Sequence, residues 1–279
     1  MDGAGDEYLL AYLVTDSENF QVWRWNMATG AFDAQVIASN VTDFGVDRNF
    51  PGNTNAQRVF ATYEKTTSCT EVFSARSTAG SYGFDWVDEI SLGLCGQQVE
   101  FTYGLNGGCY TAFTGATSGN LYTAANSNYN DPASWGANEI IETGATTESL
   151  NPTIRAARKD FASDEVLVIT SSRAAGSSDS YTGQAYRREN GAAYVPINYI
   201  GAGSDANIAH IDTWMSKVGT ETIETAYVRD DIDDSEDDLN RSFQYDGTGF
   251  GPFEGVGDTG LNVFDGFASV IAETNDQLP

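Results

Sequence analysis

The chain has 279 residues, 40 acidic against 14 basic, for a formal net charge of −26. That balance repels nucleic acids and anionic membrane surfaces, so neither is an expected partner. Apolar residues make up 41%, enough to bury a core, yet no run of 18 apolar residues is present to cross a bilayer as a helix.

Residues 7–16 (EYLLAYLVTD) and 20–25 (FQVWRW) alternate apolar and polar positions as half-buried strands do. A turn at 28–30 leads into FDAQVI, giving three strands. NVTDFGVD (40–47), RVFATYEK (58–65), CTEVFSARS (69–77) and WVDEISLG (86–93) form the next set. QVEFTYG (98–104), CYTAFTGA (109–116), GNLYTAAN (119–126) and NEIIETG (138–144) form the third. PTIRAARK (152–159), EVLVITSSR (165–173), GQAYRREN (183–190) and AAYVPINYI (192–200) form the fourth. IAHIDTWM (208–215), TIETAYVRD (222–230), DLNRSFQYD (238–246) and PFEGVGD (252–258) form the fifth. LNVFDGFAS (261–269) is left over. No helical period occurs.

Five of these runs carry one ionisable residue three or four positions in: Asp43, Glu100, Arg155, His210 and Asp265. The marks recur about every 55 residues, near the period of four-stranded blades. The expected fold is an all-β, five-bladed β-propeller in a single domain, 1–279, with the marked runs as innermost strands. The first blade lacks such a strand, and 261–269 supplies it, closing the ring without an open sheet edge. The five marked side chains would then ring the top of the central channel. Paired among themselves or with channel water, they would be structural.

The turns between third and fourth strands also repeat: Ser81, Gly83 and Trp86; Asn128, Asn130 and Trp135; Glu189, Gly191 and Tyr194. They resemble, in degenerate form, the Asp-box turn of sialidase-type propellers, in which a polar residue bonds the turn, Gly takes a positive φ and an aromatic plugs the blade. The ring of acids with Arg and His resembles the five-bladed glycoside hydrolases of family 43 and their relatives. That resemblance implies Glu100 as general acid, with Asp43 and Asp265 as candidates for the base and the orienting carboxylate. Two carboxylates flanking the scissile bond are what inverting hydrolysis requires. Arg155 would hold a sugar hydroxyl or carboxylate, and His210 would orient substrate or ligate an ion. Here the first inner strand comes from the C-terminus and reads FDG, so the likeness is one of residue types per blade. Asp47 and Asp212 compete for the same roles.

Trp214, Tyr103 and Arg158 lie further along the same strands, where an aromatic stacks on sugar or packs between blades. The run RDDIDDSEDDLN at 229–240 holds seven acids within nine residues. It is a solvated loop or a Ca²⁺ holder through Asp230, Asp231, Asp233 and Asp234. No other cofactor is expected. Cys69 and Cys95 fall in neighbouring top-face loops and are expected to form a disulfide, leaving Cys109 free. That bond implies an extracellular or periplasmic setting, although no signal peptide is expected in MDGAGDEYLL. The resulting function is an exported, carbohydrate-active, glycoside hydrolase-like propeller binding a glycan or other small polar ligand. The alternatives are a non-catalytic lectin or adhesion module, and an interaction propeller with a partner protein at its top face.

Overall fold

Apolar–polar alternation becomes antiparallel pairing throughout the described residues. The computed structural model describes residues 8–48, 59–66, 70–78, 81, 83–103, 108–128, 131–144, 147–157, 165–174, 182–200, 207–216, 222–230, 239–245 and 254–258. These form β-strands and one three-residue 3-10 turn, Pro132–Ser134, so the chain is all-β. It divides into two compact units. One is Met1–Tyr103 with Gly107–Thr117 and Thr123–Glu139; the other is Gly104–Asn106 with Ser118–Tyr122 and Ile140–Pro279.

The first unit begins with a three-stranded meander: β1 (Tyr8–Val14), β2 (Asn19–Asn26) and β3 (Phe32–Ser39). A seven-stranded sheet follows, made of β4 (Val41–Arg48), β5 (Val59–Thr66), β6 (Thr70–Ser77), β7 (Trp86–Tyr103), β8 (Cys109–Gly115), β9 (Leu121–Asn126) and β10 (Glu139–Glu142), paired in that order. The strands expected at 86–93 and 98–104 are therefore one strand, a correction to the reading of two. β7 pairs with β6 through Trp86–Cys95 and with β8 through Gly96–Tyr103. Positive φ at Gly93 (75°) and Gln98 (58°) falls within two slips of β7, Ser91–Cys95 against β6 and Gln97–Glu100 against β8.

The second unit holds two four-stranded meanders. The first is β11 (Thr147–Ala157), β12 (Glu165–Ala174), β13 (Thr182–Glu189) and β14 (Val195–Ile200). The second is β15 (Asn207–Ser216), β16 (Thr222–Asp230), β17 (Leu239–Tyr245) and β18 (Glu254–Asp258). In the first meander, Ile154, Val166, Leu167, Val168 and Ile169 are fully buried, as a near-continuous apolar strand requires. The strand expected at 261–269 lies outside the described residues, and with it the expected closure.

Two cores hold the first unit. Phe20, Val41, Ala61, Tyr63 and Ala75 are buried with Tyr12, Phe44, Phe73 and Trp86 against them, which joins the first sheet to β4–β6. Phe20 stacks on Phe44 at 4.6 Å and meets Trp86 edge-on at 6.2 Å. The Ser81–Trp86 turn sets that indole. The Ser81 hydroxyl donates to the Thr78 carbonyl at 2.9 Å and also to that of Phe84, and the Trp86 indole N–H donates to the Gly83 carbonyl at 2.9 Å. Gly83 has φ +87°, and a Cβ there would stand 2.6 Å from the side chains of Leu10 and Tyr12. The second core is Phe60, Phe101, Tyr103 and Cys109 with Trp135 packed on it. The Tyr103 hydroxyl accepts the Phe60 N–H at 2.9 Å, so Tyr103 is a core residue and not a sugar-stacking one.

Cys95 is disulfide-bonded and Cys109 is a free, buried thiol whose pKa burial pushes up; Cys69, the expected partner of Cys95, lies outside the described residues. Cys109 opens β8, at the start of the strand expected at 109–116, inside the second core.

Two outcomes follow. Gly45 of β4 faces the β7 backbone, where a Cβ would meet Phe101 N at 2.5 Å and Glu100 Cα at 2.6 Å. Gly45→Ala should cost about 1–3 kcal/mol in urea unfolding, because neither contact is a side chain that can swing away. Thiol titration of the unreduced protein should find none reactive in the native state and one after denaturation. Three thiols in the unreduced, denatured chain would contradict the bond at Cys95.

Candidate functional site

The four described strands expected to be innermost share one irregularity. In β4 the register slips between Val41 and Asp43, in β7 between Gln97 and Glu100, in β11 between Leu150 and Thr153, and in β15 between Ile208 and His210. Each slip inserts one extra residue on the inner strand, a β-bulge, which re-aims the side chains beside it. Asp43, Glu100 and His210 are the first paired residues after their bulges. In β11 that position belongs to Thr153, and Arg155 falls two residues further along, level with Gly45, Thr102 and Asp212. Arg155 therefore does not hold the register position that Asp43, Glu100 and His210 share.

At β4 and β7 the side chains are described, and two carboxylates meet there. Asp43 lies opposite Glu64 of β5 in the register. The Asp43 carboxylate accepts the N–H of Val99 at 2.9 Å through one oxygen and its neighbour Phe44's N–H at 2.9 Å through the other. Glu64 accepts the N–H of Gln98 at 3.1 Å and the hydroxyl of Thr42. Two consecutive amides freed by the β7 bulge are thus bound by two acids from the neighbouring strands. The Gln98 side-chain oxygen accepts from Thr114, whose hydroxyl also lies 3.1 Å from the Gln97 carbonyl. Glu100 follows directly; its own carbonyl accepts the Thr111 hydroxyl at 2.7 Å, and Thr111 touches Thr62 at 3.0 Å.

Burial pushes the Asp43 carboxyl above its usual value, and the amides of Val99 and Phe44 pull part of the way back. Burial likewise raises Glu64; Thr42 and Gln98 oppose that, while the negative charge of Asp43 adds to it. The sequence reading missed Glu64. Its signal was a charged residue inside VFATYE, a run that is buried from end to end.

The structure brings Asp43 beside the residues that precede Glu100. His210 pairs with Val228 and Trp214 with Glu224 along β15, and Arg155 pairs with Leu167 in β11; these belong to the second unit. Asp47 lies opposite Phe60, Asp212 opposite Ala226, and Asp230 ends β16 opposite Asn207. Arg158, Asp231, Asp233, Asp234 and Asp265 lie outside the described residues. Among the described residues no group of three or more His, Cys, Asp or Glu is placed to hold a metal ion.

No family model matches the chain, and no curated protein matches its sequence. Its likeness is to solved structures. A polysaccharide lyase, an ulvan lyase, superposes with a TM-score of 0.58 at 8% identity, over 88% of this chain and 69% of that one. An exo-β-1,3-galactanase from Clostridium thermocellum gives 0.52 at 11%, over 89% and 58%. BBS1N, from its complex with ARL6DN, gives 0.54 at 11%, over 89% and 65%. At these identities the likeness is one of fold: a β-propeller-like, all-β architecture that several carbohydrate-processing enzymes share and that a protein of another kind shares as well.

A glutamate raised in the folded state takes up its proton on folding, so its contribution to stability is present below the ordinary value near 4.5 and lost as pH rises through the folded value. Glu64→Gln keeps an acceptor for Gln98 and removes the charge. The variant should be more stable than wild type near pH 7, with the difference shrinking toward zero as pH falls below about 4.5. Denaturant midpoints across that range test it; a difference that does not change with pH would mean Glu64 is ionised at no cost.

Proposed function

We propose that this chain is an exported, carbohydrate-active propeller of five blades with an acid–base site on its inner strands. The repeated bulge is the observation that carries the reading. Four strands far apart in sequence each slip register by one residue, and in three of them an ionisable residue is the first paired residue after the slip. Bulges are concentrated beside active sites because they turn side chains out of the ladder. The likeness to the lyase and the galactanase supports carbohydrate as the substrate class, and a disulfide at Cys95 suits an oxidising compartment.

Roles follow from the bonds. Asp43 spends both oxygens on backbone amides, which suits a positioning carboxylate better than a base that must take a proton from water. With Glu64 it fixes residues 98 and 99 and so the placement of Glu100, the proposed general acid. The base then falls to Asp265, on the strand proposed to complete the first blade, and Arg155, Arg158, His210 and Trp214 form the proposed substrate contacts. A purely binding propeller is the second reading, favoured by an exposed aromatic face on the first sheet.

A panel of aryl and alkyl glycosides, run beside a glycan array, separates the two. Glu100→Gln should reduce turnover of substrates with poor leaving groups by about 10²–10⁴, spare activated aryl glycosides more, and leave array binding unchanged. Array binding without turnover of any glycoside by wild type would give the site to the binding reading.

A further inference from the structure

One face of the first sheet is apolar and open. Across β1–β2–β3 the register sets Leu9, Trp25 and Phe32 in one row and Ala11, Trp23 and Ala34 in the next. Leu9 is 56% exposed, Trp25 51%, Phe32 58% and Trp23 40%. The opposite face of the same sheet is the one that packs, through Tyr12 and Phe20, on the β4–β6 core. Neither row carries a charge, on a chain whose net charge is −26.

We propose that this face is a binding platform for a neutral oligosaccharide of two or three sugar rings. Three features select that ligand. The Trp23 ring is already held: its indole N–H donates to the Gln21 side-chain oxygen at 2.9 Å, and Phe32 meets it edge-on at 5.5 Å and 86°. A fixed indole loses little freedom when a ring stacks on it. Its directly opposite cross-strand neighbours are the alanines Ala11 and Ala34.

Size is the second feature. Three strands about 4.8 Å apart and about six residues long present on the order of 300 Å². That is well short of the roughly 800 Å² per partner that a stable protein pair buries, and it matches one side of a short glycan. Charge is the third. The surrounding surface is strongly acidic, so an uronate- or sulfate-bearing chain is repelled where a neutral one is not. The platform does not require Glu100 to be catalytic, so it can fail or stand independently of the acid–base site.

Affinity electrophoresis in native gels tests this, with soluble galactan, arabinoxylan or β-glucan as neutral arms and carrageenan as the sulfated arm. Wild type and Glu100→Gln should be retarded in at least one neutral gel and not in carrageenan. Trp23→Ala and Trp25→Ala should weaken binding by about tenfold each with unchanged melting temperatures, and Trp23→Phe, which keeps a stacking ring, should retain most of it. Retardation by carrageenan alone, or equal retardation of Trp23→Ala, overturns the proposal. So does a dimer in sedimentation that the Trp variants dissolve, since the face would then join copies. Acrylamide quenching that is the same in wild type and a Trp23→Phe, Trp25→Phe double variant would show the indoles already covered, and would overturn it as well.

Discussion

Strands far apart in sequence can frame a site only if their backbones come close, and between β4 and β7 the contact is backbone to backbone. Gly45 makes it possible: any side chain there would collide with Glu100 and Phe101 within 2.6 Å. The approach has a second requirement. The bulge in β7 leaves the amides of Gln98 and Val99 outside the ladder, and a buried amide without an acceptor is costly. Asp43 and Glu64 supply the acceptors. Glycine and the two acids therefore act together, one removing bulk and the others replacing lost hydrogen bonds. The position of Glu100 depends on all three.

This arrangement bears on how a carboxylate on an inner strand is read. An acid there was expected to face the channel and meet substrate, yet Asp43 is half-buried and turned to the neighbouring strand. Its raised pKa comes from burial, not from a second acid poised to share its proton. Structural and catalytic roles also merge at such a position. A residue that fixes the backbone one place before an acid governs that acid's geometry, and small displacements at a reacting centre are costly. Removing Asp43 would change Glu100 without touching substrate.

Strands were the legible part of the sequence. All eighteen were foreseen within a few residues, except that two of the expected runs fused into β7. Alternation and turn residues carry that information locally. Fusion was hidden because β7 slips register against β6 at Ser91–Cys95 and against β8 at Gln97–Glu100, and positive φ at Gly93 and Gln98 marks those slips where the sequence suggested a loop. The site was less legible for a related reason. Spacing in sequence counts residues, whereas register counts pairs, and each bulge shifts one against the other. Arg155 was set beside Asp43, Glu100 and His210 by its distance along the chain, whereas in the register Thr153 is the first paired residue after the β11 slip and Arg155 comes two residues later. Glu64 was overlooked because it sits on a second strand, where no period pointed.

The charge balance explains why backbone amides, and not cations, hold these acids. With 14 bases for 40 acids, most carboxylates have no positive partner. The ion pairs Arg24–Asp33, Lys65–Glu89 and Arg76–Asp88 involve partly exposed acids, and such pairs contribute about 0–1 kcal/mol. A lysine or arginine brought to the Asp43–Glu64 junction would need room that the Gly45 contact does not leave. N–H groups are already present at that spacing, carry partial positive charge and require no added volume. The bulge in β7 thus has a use beyond aiming side chains: it releases the donors that let Asp43 and Glu64 be buried beside it.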